Sequence, residues 1–200
     1  MGLGGLVRVL EDLEAKRSIL LPLTSHFSPL KKEQCKKMND RNEAMTMENM
    51  ETKRIDDNIQ LTEHFNLLEF VRSGTAITLG IDNHPPRLVV ECLTHLCQTV
   101  LEPLRRRFGK IRITSGYRCD TLNAAVGGAR RSQHHLGQAA DIFVPSEEEG
   151  QKMFNYIRGN LPFDQLIFEH SESRKTRWIH VSIRPDMAKN RRKAWTALCR

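Results

Sequence analysis

Several features are scarce or missing in this 200-residue chain, and each absence narrows what it can be. No apolar run approaches the ~18 residues that a membrane-spanning helix needs. The first residues, MGLGGLVRVLEDLEAKRS, do not build the apolar core of a secretion signal, because Glu11, Asp12 and Glu14 interrupt it. The expectation is synthesis in the cytoplasm. Cysteine is sparse and odd in number (Cys35, Cys92, Cys97, Cys119, Cys199), with no Cys-x-x-Cys pair. That argues against a disulfide framework and for a reducing compartment. Aromatic residues make up only 6%. No aromatic stripe interleaves with the basic clusters at 31–37, 105–107 and 189–193, so these read as a solvated or wall-attracted surface rather than a nucleic-acid interface. No internal repeat is present.

Hydrophobic residues account for 39% and charged residues for 28%, with a net charge of +7. This is the composition of a globular chain with one real core, expected to act as a monomer. The core does not extend over the whole length. MNDRNEAMTMENMETKRIDDN (38–58) has almost no large apolar residues and cannot bury much, so residues 1–57 read as a disordered or poorly packed extension. Its methionines at 38, 45, 47 and 50 leave room for a later natural start. A short amphipathic helix is expected in 1–20. The folded domain is expected over 58–186, followed by a basic tail at 187–200.

Within 58–186 the patterning is helical first and extended later. HFNLLEFVRSGTA predicts a short helix with Asn66 as N-cap and Glu69 three residues on. Pro85 and Pro86 open a longer run, RLVVECLTHLCQTVLEPLRRRFG, with Leu88, Cys92, Leu96, Val100 and Leu104 at helical spacing. Cys92 and Cys97 fall among its packing positions. Pro103 is placed to kink the last turn and Gly109 to end it. Short strands follow at KIRIT (110–114), AADIFV (139–144), DQLIFE (164–169) and RWIHVSI (177–183). A helix opened by Ser146 and Glu149 lies between the second and third. Strands segregated against helices predict an α+β fold with a small, mainly antiparallel sheet.

The chemistry concentrates in SQHHLGQAAD (132–141). His134 and Asp141 are seven apart, which on one helix would separate them by about 10 Å. They can share a metal only if the chain reverses between them, and Gly137 permits the positive φ of such a reversal. His135 then points elsewhere. Alternation in RWIHVSI puts Trp178, His180 and Ser182 on one face. If this strand neighbours that of Asp141, then His134, Asp141 and His180 leave one tetrahedral position open, the arrangement of a catalytic zinc. His64, His84 and His95 have no such partners and read as structural.

Ser132-x-His134-x-x-Gly137-x-Ala139-x-Asp141, with Trp178-x-His180-x-Ser182 downstream and Ser115-Gly116-Tyr117-Arg118, Asn123 and Gly127-Gly128 upstream, resembles the M15 family of zinc D-Ala-D-Ala carboxypeptidases. The resemblance covers about 61–185 and implies a Hedgehog/DD-peptidase-like fold. It implies Zn2+ on His134, Asp141 and His180, Arg118 on the substrate's terminal carboxylate, and Ser132 as a nearby hydrogen-bonding residue. An arginine fork suits that carboxylate, and zinc would polarise the scissile carbonyl. Asn123 and the glycines 127–128 are expected to shape the loop that presents His134.

One position departs from the family pattern. Where its members carry a Glu or His shortly before the second histidine, this chain has Arg177 and Lys175. Neither is a natural base. Glu169, His170 and Glu172 remain, and Glu169 is the expected general base, with Glu172 as the alternative. The expected function is a zinc peptidase of D-amino-acid-containing peptidoglycan stem peptides, of the carboxypeptidase or lysin type, reaching the wall after release through another protein's pore. The alternative is a non-catalytic zinc module that binds the wall or a protein partner.

Overall fold

The computed structural model describes residues 56–171 and 175–199. The readings made for 1–55, including Cys35, the amphipathic helix and nearly all of the extension, and for Glu172, lie outside the described residues.

The helices come first. The Asn66–Glu69 pattern closes as expected: Asn66 Oδ1 accepts from Leu68 N–H at 2.8 Å, and Glu69 Oε1 accepts from Asn66 N–H at 3.1 Å. The single helix expected here is two, α1 (Leu68–Val71) and α2 (Gly74–Leu79). Ser73 separates them, its extended backbone and Oγ capping Ala76 N–H. The long run divides into α3 (Arg87–Leu96), a π-helical turn (Cys97–Leu101) and α4 (Glu102–Phe108). Pro103 is the physical cause: it has no N–H to give and its ring crowds the preceding turn, so the helix widens just before it. Gly109 ends α4 with a positive φ, its N–H on Arg105 O, and a short helix α5 (Asp120–Ala125) comes later, before the metal-facing loop. Cys92 and Cys97 are buried and take part in no disulfide, and burial pushes the Cys97 thiol well up.

The sheet follows. Its strands are β1 (Ile113–Ser115), β2 (Ala139–Val144), β3 (Gln165–Ser171), β4 (Thr176–Ser182) and β5 (Lys193–Cys199), in the order β1-β2-β4-β3-β5. All neighbouring pairs are antiparallel except β3 with β5. The fold is α+β with a mainly antiparallel sheet, as the patterning predicts. β5 falls in the stretch expected to be a basic tail. Asp164 places it there: fully buried, its carboxylate accepts from Arg191 N–H at 2.8 Å and from the Arg191 guanidinium, with Arg184 Nε at 3.2 Å.

Alternation sorts the two faces of the sheet. Ala140, Ile142, Val144, Leu166, Phe168, Ile179 and Val181 are buried in the core, against Met153, Phe154 and Ile157 of α6 (Glu147–Asn160). Ser146 Oγ caps α6 by accepting from Glu149 N–H, as its sequence signature predicts. The other face carries Asp141, His180, Ile167 and Glu169.

Candidate metal centre

The β2–β4 register sets Asp141 directly opposite His180. Side chains of opposed residues share a face and stand close, so the two reach one point. His134 comes to the same point from the 3₁₀ turn Gln133–Leu136. Gly137 supplies the reversal with φ +64°, and a Cβ there would meet Val89 O at 2.5 Å. Glycine is therefore required both for its backbone angle and for the close approach to α3.

The three donor atoms form a near-regular triangle. His134 Nε2 to His180 Nδ1 is 3.3 Å, His134 Nε2 to Asp141 Oδ1 is 3.3 Å, and His180 Nδ1 to Asp141 Oδ1 is 2.9 Å. Ligands at the usual zinc bond length of ~2.05 Å, set tetrahedrally, lie about 3.3 Å from one another. The triangle thus has the size of one face of a metal tetrahedron, and the donor set of two imidazoles and a carboxylate suits zinc.

The surrounding bonds aim these donors. His134 Nδ1 faces Gly116 O, so its proton lies there and Nε2 is left with a lone pair for the metal. Arg118 donates from Nη2 to Asp141 Oδ2 at 2.6 Å and from Nε to Ser115 Oγ at 2.7 Å, leaving Oδ1 to the histidines. Burial pushes the Asp141 carboxyl up, but His134 and His180 outweigh it and hold it well below the usual carboxylate range. Ser132 Oγ accepts from His134 N–H and caps the turn. Gln133 Oε1 accepts from Ser182 Oγ and ties that turn to β4. Asn123 is buried and bonds Ala129 O, and a Cβ on Gly128 would collide with its side chain. These residues shape the loop before His134, as expected from the sequence.

Other expected positions separate cleanly. His135 turns away to Asp120, with Nδ1–Oδ1 at 2.8 Å. Arg177 lies on the core-side face of β4 and pairs with Glu147 of α6 at 3.0 Å, so it does not address the metal triangle. Glu169 sits on the same face as His180 and diagonal to it, since His180 opposes Ile167 two residues earlier. Such diagonal neighbours are within reach of long side chains.

Sequence reasoning misses Asn83. It is buried, donates to Val71 O and Tyr117 O, and accepts from Cys119 N–H, clamping the segment that carries Arg118. Its only sequence signal is an asparagine before a double proline, which reads equally well as a turn. A second His/carboxylate group among the described residues, Glu63, His64 and Glu102, is a brace. Glu102 accepts from Thr62 Oγ1 at 2.7 Å and His64 N–H at 2.9 Å, and faces His64 Nδ1 at 2.9 Å.

Among the described residues, no helix is long and apolar enough to cross a membrane. No curated protein matches the chain significantly. The family model described as Peptidase M15 matches residues 63–182, a span that holds α1 to β4 and all three metal-facing side chains. With most of its length matched and a metal-sized His-Asp-His triangle inside the match, the chain belongs to the peptidase M15 family.

Proposed function

We propose that this protein is a zinc-dependent peptidase of peptidoglycan stem peptides, cutting beside a D-amino acid. The observation that carries the reading is the His134–Asp141–His180 triangle, whose edges match one face of a zinc tetrahedron and which lies within a peptidase-family match. A zinc ion held there supplies a Lewis acid for the scissile carbonyl and a water that ionises near neutral pH. The chain's own residues do the rest. Arg118 spends two of its five N–H donors on Ser115 and Asp141. Three remain to pair with a substrate carboxylate. Glu169, diagonal to His180, accepts the proton of the attacking water. Ser132 holds the turn and lines the approach. Release into the wall from the cytoplasm belongs to the same reading.

The test is digestion of peptidoglycan with the zinc-loaded protein, with and without chelator, and mass spectrometry of the products. Chelator-sensitive release of D-Ala is expected of a carboxypeptidase, and cleaved stems or cross-bridges of an endopeptidase. His180→Ala should remove activity and zinc together, and full activity of that variant would sink the reading. One observation favours a second reading, a zinc module that binds without cleaving: Arg177 stands where a base is expected and is tied to Glu147. Tight zinc binding with no product would select it.

A further inference from the structure

The open face of the sheet does not stop at the metal triangle. The registers align one continuous row across five strands: Ser115, Asp141, His180, Ile167 and Trp195. Trp195 ends this row on the edge strand β5, and the large indole is 41% exposed. Lys193 lies two residues before it on the same strand and face, also exposed. A tryptophan left in solvent on the face that carries the metal triangle adds nothing to the core, which β5 meets through Ala194 on the opposite face.

We propose that Trp195 and Lys193 form a subsite for the part of the stem peptide that precedes the scissile bond. The inference rests on the peptidase reading and gives it a direction. Arg118 stands on the β1 side of the metal triangle, bonded to Ser115. A chain end held there forces the preceding residues the other way, over Ile167 and toward β5. Neighbouring strands are about 4.8 Å apart, so Trp195 is roughly 10 Å from His180. An extended peptide covers that distance in about three residues. Three residues before the bond, a stem pentapeptide carries its γ-linked D-glutamate with a free α-carboxylate. Trp195 offers a flat apolar platform to the chain, and Lys193 offers the cation for that carboxylate.

The test uses the full zinc-loaded chain and three probes. These are the pentapeptide L-Ala-γ-D-Glu-L-Lys-D-Ala-D-Ala, the short N-acetyl-D-Ala-D-Ala, and the tetrapeptide lacking the last D-Ala, whose binding is read by calorimetry without turnover. Trp195→Ala should weaken tetrapeptide binding and raise KM for the pentapeptide about tenfold, the scale of one aromatic anchor. The short substrate should change less than about twofold, and Trp195→Phe should retain most of the affinity. Amidation of the D-glutamate should weaken binding to wild type and leave Lys193→Ala indifferent. Equal effects on long and short substrates, or none, would overturn the subsite while leaving the peptidase reading intact. Loss of turnover on intact peptidoglycan with unchanged free-peptide binding would also overturn it, in favour of a glycan contact. Tetrapeptide binding that depends on Trp195 in a protein that cleaves nothing would keep the subsite and end the peptidase reading. A wild type that neither binds nor cleaves these peptides ends both.

Discussion

Two of the three donors in the candidate metal triangle are aimed by a neighbouring group. Gly116 O fixes the ring of His134, Arg118 turns Asp141, and Gly137 makes the reversal possible. Gly137 is the most exacting of these. A left-handed φ costs a non-glycine residue about 1–2 kcal/mol, and the Val89 carbonyl leaves no space for a methyl group. Gly137→Ala should therefore lower stability by about 2 kcal/mol or more and weaken zinc affinity, measured by denaturant midpoint and metal titration. Unchanged zinc affinity in this variant would show that the turn does not set the position of His134. At this scale the sequence was highly legible. Histidine, aspartate and glycine in a short loop have few alternative uses at that spacing. Asn83 was not legible, because its three hydrogen bonds are to backbone groups at Val71, Tyr117 and Cys119, which no local pattern reveals.

Among the elements, strands with strong alternation were readable and β5 was not. AADIFV and RWIHVSI carry β-branched and aromatic residues in register, whereas KAWTALC mixes two alanines and a lysine and follows a charged run. What makes it a strand is tertiary. Asp164, immediately before β3, captures Arg191 just before β5 begins, and Lys193 N–H bonds Asp164 O. Arg191→Ala leaves this buried carboxylate with one arginine fewer. A loss of about 2 kcal/mol is expected, together with faster amide exchange in β5 than in β2 or β4. Exchange that speeds up evenly across all strands would mean that the pair supports the whole sheet rather than its edge. The division of α3 from α4 belongs here too. Pro103 announced a disturbance, but whether a helix kinks or widens depends on the packing of Val100 and Leu101, both fully buried.

For the whole molecule, two buried carboxylates link stability to pH. Burial pushes Glu102 up, but hydrogen bonds from His64 and Thr62 outweigh it and lower its pKa. Asp164 is likewise raised by burial and lowered further by Arg191 and Arg184. Both bind protons more weakly in the folded state than in the unfolded one. Their contribution is fully present above the ordinary carboxylate range, at about pH 4, and is lost as the pH falls through the lowered folded values. The melting temperature should drop from pH 7 toward pH 3, and Glu102→Gln should narrow that drop. An identical pH profile in the variant would rule out this source of acid sensitivity.

The metal-facing donors come from positions 134, 141 and 180, and only the folded sheet gathers them. An unfolded chain offers the ion scattered single ligands. A metal held by these three would therefore be tied to folding: at a hundredfold excess over Kd it would add about 2.7 kcal/mol, or roughly 5–10 °C in melting temperature. Zinc should produce that rise in the wild type and none in His180→Ala. A metal held there would make persistence in a harsh environment a function of the free ion around the protein, so that the surroundings and not the sequence alone would set the molecule's lifetime.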